Sequence, residues 1–191
     1  MALSVTLAAT AYIPQQLVKN AKRKIVFSGR SNVGKSSLLN ALFGEKLAKI
    51  SSRPGKTQSI NYYLVQAHDF YLVDLPGYGY AQANQAQRSA WGKLIEVFFD
   101  DAEQLMAVCV LLDCRLPPQD KDLEMIAYAQ ERGYMVRGIL TKADKCSRQL
   151  IKERLLTWEA ILPESPLVTS AKNNQGLSDL RRMVLLWAGE G

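Results

Sequence analysis

The chain has 191 residues, 48% hydrophobic and 22% charged, a composition that suits one domain with a substantial core and argues against a disordered or fibrous chain. No apolar run is long enough to span a bilayer, and three cysteines without a C-x-x-C pair, with His68 as the single histidine, argue against a disulfide framework or a zinc cluster. The net charge of +6 favours an acidic partner such as nucleic acid, and equally suits the surroundings of a bound polyphosphate.

Residues 1–20 read as a lead-in, an extended piece laid on a sheet edge with Pro14 as a breaker. The stretch lacks a basic n-region and carries Ser4, Thr6 and Thr10, so it is not taken as a secretory signal, and the protein is expected to be cytoplasmic. Lys22, Arg23 and Lys24 then precede the first core strand, Ile25 to Ser28. They read either as a solvated strand entrance or as an RNA contact.

The strand runs into Gly29-Arg30-Ser31-Asn32-Val33-Gly34-Lys35-Ser36, followed by Ser37 and the apolar start of a helix. This is G-x-x-x-x-G-K-[ST] between a strand and a helix, the context that marks a phosphate-binding loop. Gly29 and Gly34 permit backbone conformations in which successive N–H groups point into one concavity, and the helix N-terminus adds its unpaired donors. Lys35 is expected to reach the β- and γ-phosphates, and the Ser36 hydroxyl to ligate Mg²⁺.

Residues 44–58 read as a long connection of the kind that carries function, with Thr57 as the candidate for a second Mg²⁺ ligand. Ile60 to Gln66 and Phe70 to Val73 form two strands around a turn at Ala67-His68-Asp69, with His68 a surface turn residue. The second run ends in Asp74-Leu75-Pro76-Gly77, 45 residues after Gly29. Asp74 can hold Mg²⁺ through water, and the Gly77 N–H can sense a γ-phosphate.

A helix reaching about Asp100 presents Trp91, Leu94, Ile95 and Phe98 at helical spacing, as core residues. Leu105 to Leu112 reads as a central parallel strand ending at Asp113, which is placed to pair with Arg115. An amphipathic helix over residues 120–132 leads to a strand over 134–140, which opens into Thr141-Lys142-Ala143-Asp144. A carboxylate there can accept from both N1–H and the 2-amino group of guanine, whereas adenine would leave Asp144 unpaired. The Lys142 stem is expected to pack on the base, and Thr141 to hold neighbouring loops together. A helix over 149–161, a strand over 167–169 and a helix over 176–187 close the chain, with Ser170-Ala171-Lys172 placed where a backbone N–H can meet guanine O6. One hydrophobic pattern runs throughout, giving a lead-in over 1–22 and a single nucleotide-binding domain over 23–191.

The boxes Gly29 to Ser37, Arg53-Pro54-Gly55-Lys56-Thr57-Gln58 with Asn61, Asp74-Leu75-Pro76-Gly77-Tyr78-Gly79-Tyr80-Ala81, and Thr141-Lys142-Ala143-Asp144-Lys145 together resemble the EngB (YihA/YsxC) family, within the TrmE–Era–EngA–EngB–septin-like class of P-loop GTPases. The resemblance implies an α/β fold of three layers: a Ras-like, mostly parallel six-stranded sheet with helices on both faces. It also implies GTP/GDP and Mg²⁺ binding, a role in assembly of the large ribosomal subunit, a requirement for cell division and septation, and a monomer. Carried over box by box, the nucleotide-binding candidates are Gly29, Arg30, Ser31, Asn32, Val33, Gly34, Lys35, Ser36, Ser37, Gly55, Lys56, Thr57, Gln58, Ser59, Asp74, Leu75, Pro76, Gly77, Thr141, Lys142, Ala143, Asp144, Thr169, Ser170 and Ala171. Lys35, Thr57 and Gly77 are the catalytic candidates; Ser36, Thr57 and, through water, Asp74 are the Mg²⁺ ligands.

Tyr78 stands where Ras-type switches carry a water-orienting glutamine, and a phenol lacks that paired donor and acceptor. Intrinsic hydrolysis is therefore expected to be slow, with stimulation by a ribosomal partner or by a monovalent cation. Asn32 resembles the potassium-coordinating asparagine of TrmE-like relatives; the other reading is a hydrogen bond within the loop. A GTP-binding scaffold with negligible turnover is the alternative function.

Overall fold

A computed structural model describes residues 3–48, 59–78, 85–101 and 103–189. Among the described residues, seven strands form one sheet in the order β1-β3-β4-β2-β5-β6-β7. The middle of the sheet is parallel: β2 (Lys24–Gly29) lies between β4 (Phe70–Asp74) and β5 (Leu105–Asp113), and β6 (Val136–Thr141) and β7 (Leu167–Val168) continue beyond β5. The antiparallel hairpin of β3 (Ile60–Val65) with β4 extends the other side, and β1 (Val5–Ala11) pairs antiparallel on β3. The lead-in thus supplies a seventh strand beside the six expected ones, its register shifting between Leu7 and Ala9.

Alternate side chains of the central strands face opposite ways and feed two cores. Val26, Val73, Val108, Val110 and Leu112 face α2 (Gln85–Asp100), α3 (Asp120–Glu131) and α4 (Arg148–Glu159), where Leu94, Phe98, Met125, Ile126 and Trp158 close the layer. Ile25, Phe27, Leu72, Cys109 and Leu111 face α1 (Lys35–Phe43) and α5 (Leu177–Trp187), meeting Leu38, Leu42, Leu180 and Val184. Such burial on both faces makes β2 and β5 continuous apolar runs rather than alternating ones. Among the described residues no helix is long and apolar enough to cross a membrane.

Of the basic triplet at the entrance to β2, Arg23 is exposed and Lys22 half-buried, as a solvated entrance requires, whereas Lys24 is buried and departs from that expectation. Lys22 pairs with Asp69, and the Arg23 guanidinium donates to the Ala188 carbonyl. Lys24 is 2% exposed, and its ammonium donates to the carbonyls of Asn20, Lys22 and Glu103 at 2.8, 3.1 and 3.1 Å. Burial lowers its pKa from the usual lysine value, and the three oxygens satisfy its three donors.

Candidate functional site

The carboxyl ends of the parallel strands gather the loops that the sequence singled out, as expected of a ligand crevice in an open α/β sheet. Between β2 and α1 the backbone takes two left-handed residues, Asn32 at φ 64° and Gly34 at φ 107°, the second immediately before Lys35. A Cβ on Gly29 would come within 2.9 Å of Val33 Cγ1 and 3.1 Å of Leu111 Cβ, so only glycine lets this loop fold back over the end of β5. The α1 N-terminus has no side-chain cap and no acidic residue in its first turn. Its donors are those of an anion cradle.

The Lys35 ammonium and the Asp74 carboxylate form an ion pair, with their side chains only 10% and 5% exposed. Asp74 ends β4 next to Phe27 of β2, which puts it one strand from the loop. Gly77 lies against the same loop: a Cβ there would sit 3.2 Å from the Ser31 nitrogen. The next residue, Tyr78, is bridged to Arg30 and turns its phenol away to the Asp122 carboxylate on α3, at 2.9 Å.

The base side of the crevice is built by the loop after β6. Thr141 is buried, and its hydroxyl lies 2.7 Å from the Val33 carbonyl and 3.2 Å from that of Leu112, linking the end of β6 to the end of β5 and to the phosphate loop. Lys142 takes a left-handed conformation, φ 59°, and its ammonium reaches the Asn32 carbonyl at 2.6 Å and Asp113 Oδ2 at 2.8 Å. Burial alone would raise the Asp113 pKa, but hydrogen bonds from Arg115 and Lys142 outweigh it and hold the carboxyl at about 2. The Arg115 guanidinium pairs with it at 2.7 Å.

The Ser170 hydroxyl donates to Asp144 Oδ1 at 2.6 Å and is the main cause that lowers this carboxyl from the usual aspartate value, helped by the Lys172 and Lys145 charges. The buried Thr169 hydroxyl donates to the Leu140 carbonyl at 2.9 Å, and the Ala143 N–H donates to the Thr169 carbonyl at 3.1 Å, so the two base-side loops are stitched together.

These loops enclose a cavity of about 730 Å³ lined by Gly34, Ser37, Thr141, Lys142, Asp144 and Ala171 together with Asn40, Lys46, Lys145, Lys172 and Asn174. Its volume is within the range that holds a small ligand, and its lining combines residues of the first turn of α1 with the Asp144 carboxylate. Ser36 is partly buried in the first turn of α1, and Ser59 is buried just before β3. Gly55, Lys56, Thr57 and Gln58 lie outside the described residues.

Two contributors escaped the sequence reading. Asn40 sits among the leucines of α1; its side-chain amide donates to the Ala48 carbonyl at 2.8 Å, and its oxygen accepts from the Ala48 N–H at 2.7 Å. Asp122 shares the buried face of α3 with Met125, Ile126 and Ala129. A carboxylate at the i position of an i, i+3, i+4, i+7 stripe is a signal that a partner is needed.

A parallel α/β sheet with a glycine-flanked phosphate loop, an aspartate at the next strand end and an aspartate-bearing loop on the base side defines a P-loop GTPase. Comparison with known proteins agrees. Residues 24–142 match the family model described as 50S ribosome-binding GTPase. The chain is 48% identical over 190 residues to a "Probable GTP-binding protein EngB" of Desulfovibrio desulfuricans, covering 99% of this chain and 94% of that one. Its fold superposes on a crystal structure of a probable GTP-binding protein engB with a TM-score of 0.67 at 21% identity, over 88% of this chain and 100% of that chain. For Aquifex aeolicus Era Y63A bound to GDP and AlF4⁻ the TM-score is 0.71 at 20% identity, over 90% of this chain and 58% of that chain. The chain belongs to the 50S ribosome-binding GTPase family, among its EngB proteins, and is a GTP-binding protein.

Proposed function

We propose that this protein is a cytoplasmic, monomeric GTPase switch acting in assembly of the large ribosomal subunit, and through it in cell division and septation. Residues 23–191 form its nucleotide domain, with residues 1–22 as a lead-in packed on it through β1. One observation supports the nucleotide part: a single cavity is lined both by Gly34 and Ser37, where the phosphate loop enters α1, and by Thr141, Lys142, Asp144 and Ala171 of the base-side loops. The residues from Gly29 to Ser37 cradle the phosphates, Thr141 to Asp144 with Thr169 to Ala171 take the base, and Asp74 to Gly77 sense the γ-phosphate.

The donors near the loop suit Mg²⁺, being hard oxygens: the Ser36 hydroxyl and, through water, the buried Asp74 carboxylate; Thr57, which lies outside the described residues, is the candidate for the second direct ligand. The metal would neutralise charge on the β- and γ-phosphates. Lys35 binds phosphate with the ammonium that now faces Asp74, and Gly77 offers its N–H.

Because the Tyr78 phenol is engaged by Asp122, it is not offered to a water at the γ-phosphate, which supports slow unassisted turnover, well under about 1 s⁻¹. The same observation favours the second reading, a GTP-binding scaffold with negligible turnover. Asn32 is exposed beside the loop with an oxygen donor suited to K⁺, and a cation there would stabilise developing negative charge. Single-turnover hydrolysis is expected to be at least about tenfold faster in K⁺ than in Na⁺, and Asn32→Ala should erase the difference. Equal rates in the two salts end the cation reading.

The ribosomal part is tested by co-sedimenting the protein with large ribosomal subunits in GDP or a non-hydrolysable GTP analogue at several salt concentrations. The expected result is binding that depends on nucleotide and weakens steeply with salt, as counterion release requires. Association indifferent to nucleotide would count against the switch.

A further inference from the structure

The Tyr78–Asp122 contact lies in a small buried network. The Tyr78 N–H donates to the Gly29 carbonyl at 3.3 Å, and the Tyr78 carbonyl accepts from the Ser31 N–H at 3.0 Å and from the Ser31 hydroxyl at 3.2 Å. These bonds continue the β2–β4 pairing into the phosphate loop. They leave no room between Gly77 and Ser31, where even a methyl group would be in tight contact.

The far end of the network is buried and hydrogen-bonded. Tyr78 and Asp122 are 6% and 4% exposed, and burial raises both groups above their usual values, so the phenol stays neutral and donates. The Asp122 N–H donates to the Gln119 carbonyl at 2.8 Å, and the Gln119 side chain accepts from Arg30 at 3.2 Å and donates to the Pro117 carbonyl at 3.0 Å. Arg30 and Asp113 are the charged groups that act on Asp122. One end of the Gly77–Tyr78 segment is therefore tied to the phosphate loop and the other to the first turn of α3.

We infer that Asp122 is a positioning residue that sets the preference of this protein between GDP and GTP, by holding Tyr78 so that the Gly77–Tyr78 segment stays closed on Ser31. The inference rests on the reading of Gly29 to Ser36 as the polyphosphate cradle. A diphosphate reaches the helix N-terminus without disturbing Ser31. A third phosphate must enter beside Gly77, and it parts the segment from the loop. Each bond that holds the segment closed is thus lost only with GTP, and a ligand moves a two-state equilibrium only through such a difference.

The test is the ratio of GDP to GTP-analogue dissociation constants, measured with fluorescent nucleotides in native protein, Tyr78→Phe, Asp122→Leu, Asp122→Asn and the Tyr78→Phe/Asp122→Leu pair. Tyr78→Phe and Asp122→Leu should each shift the ratio about tenfold toward the GTP analogue, a change worth ~1.4 kcal/mol. The pair should shift it no further than either change alone, because both remove one bond. Asp122→Asn keeps an acceptor for the phenol and should stay within about twofold of native. Tyr78→Phe removes a single oxygen and carries the test if Asp122→Leu fails to fold. A native ratio in Tyr78→Phe, with GDP affinity intact, overturns the inference. Native protein that binds neither nucleotide overturns the cradle reading itself.

Discussion

Lys35→Met should abolish measurable GDP binding and also destabilise the fold, two effects that one further substitution separates. The ammonium is expected to make charge-assisted bonds to two phosphates; at about 1.5–3 kcal/mol each, their loss weakens binding by at least ~100-fold. The same ammonium faces Asp74, whose side chain is 5% exposed, so its removal strands a buried carboxylate. Stranding such a charge costs about 3 kcal/mol at the lower end of measured cases, which is on the order of 10 °C in Tm for a chain of this length. Adding Asp74→Asn should return most of the lost Tm while nucleotide binding stays absent. Differential scanning fluorimetry and calorimetric titration of the single and double variants check both halves. If Tm is unaltered in Lys35→Met, the ion pair contributes nothing to stability.

Asp144→Ala should remove the distinction between guanine and adenine. Two charge-assisted bonds to the base edge are lost, so GDP should bind about 10²–10⁴-fold more weakly, while the weak binding of ADP is unaffected. Ser170 donates to one Asp144 oxygen at 2.6 Å and holds the carboxylate in place, so Ser170→Ala should have the same sign with a smaller size, about tenfold. Competition of GDP and ADP against a fluorescent guanine nucleotide measures both. Unaltered GDP affinity in Asp144→Ala would move base recognition elsewhere in the cavity.

The parts of the site legible in the sequence are those whose chemistry is local. The phosphate loop needs its glycines and lysine at fixed spacing between a strand and a helix, and β2 and β5 read as buried because both faces are covered. Lys24 was not legible, because its three carbonyl partners come from the turn before β2 and from Glu103, and charge alone suggests a surface. The partner of the first strand was hidden for a different reason. Its seven residues, Val-Thr-Leu-Ala-Ala-Thr-Ala, mix small and polar side chains, and the shift between Leu7 and Ala9 interrupts the period of two. Asp122 carried a readable signal in the apolar stripe of α3, but its partner lies 44 residues away.

The bonds that Thr141 and Lys142 make across the crevice bear on how a nucleotide is held. The Thr141 hydroxyl reaches the Val33 carbonyl and the Lys142 ammonium reaches Asn32, so the base loop and the phosphate loop are braced to one another by side chains. The distance between the two subsites is then a property of the protein, set by those contacts. Fixed spacing makes the nucleotide a chelating ligand: once its diphosphate is seated, guanine meets Asp144 at high effective concentration, with no second loss of translational freedom. Guanosine and pyrophosphate offered separately would each bear that loss in full, and their affinities would multiply to far less than the affinity of the joined molecule.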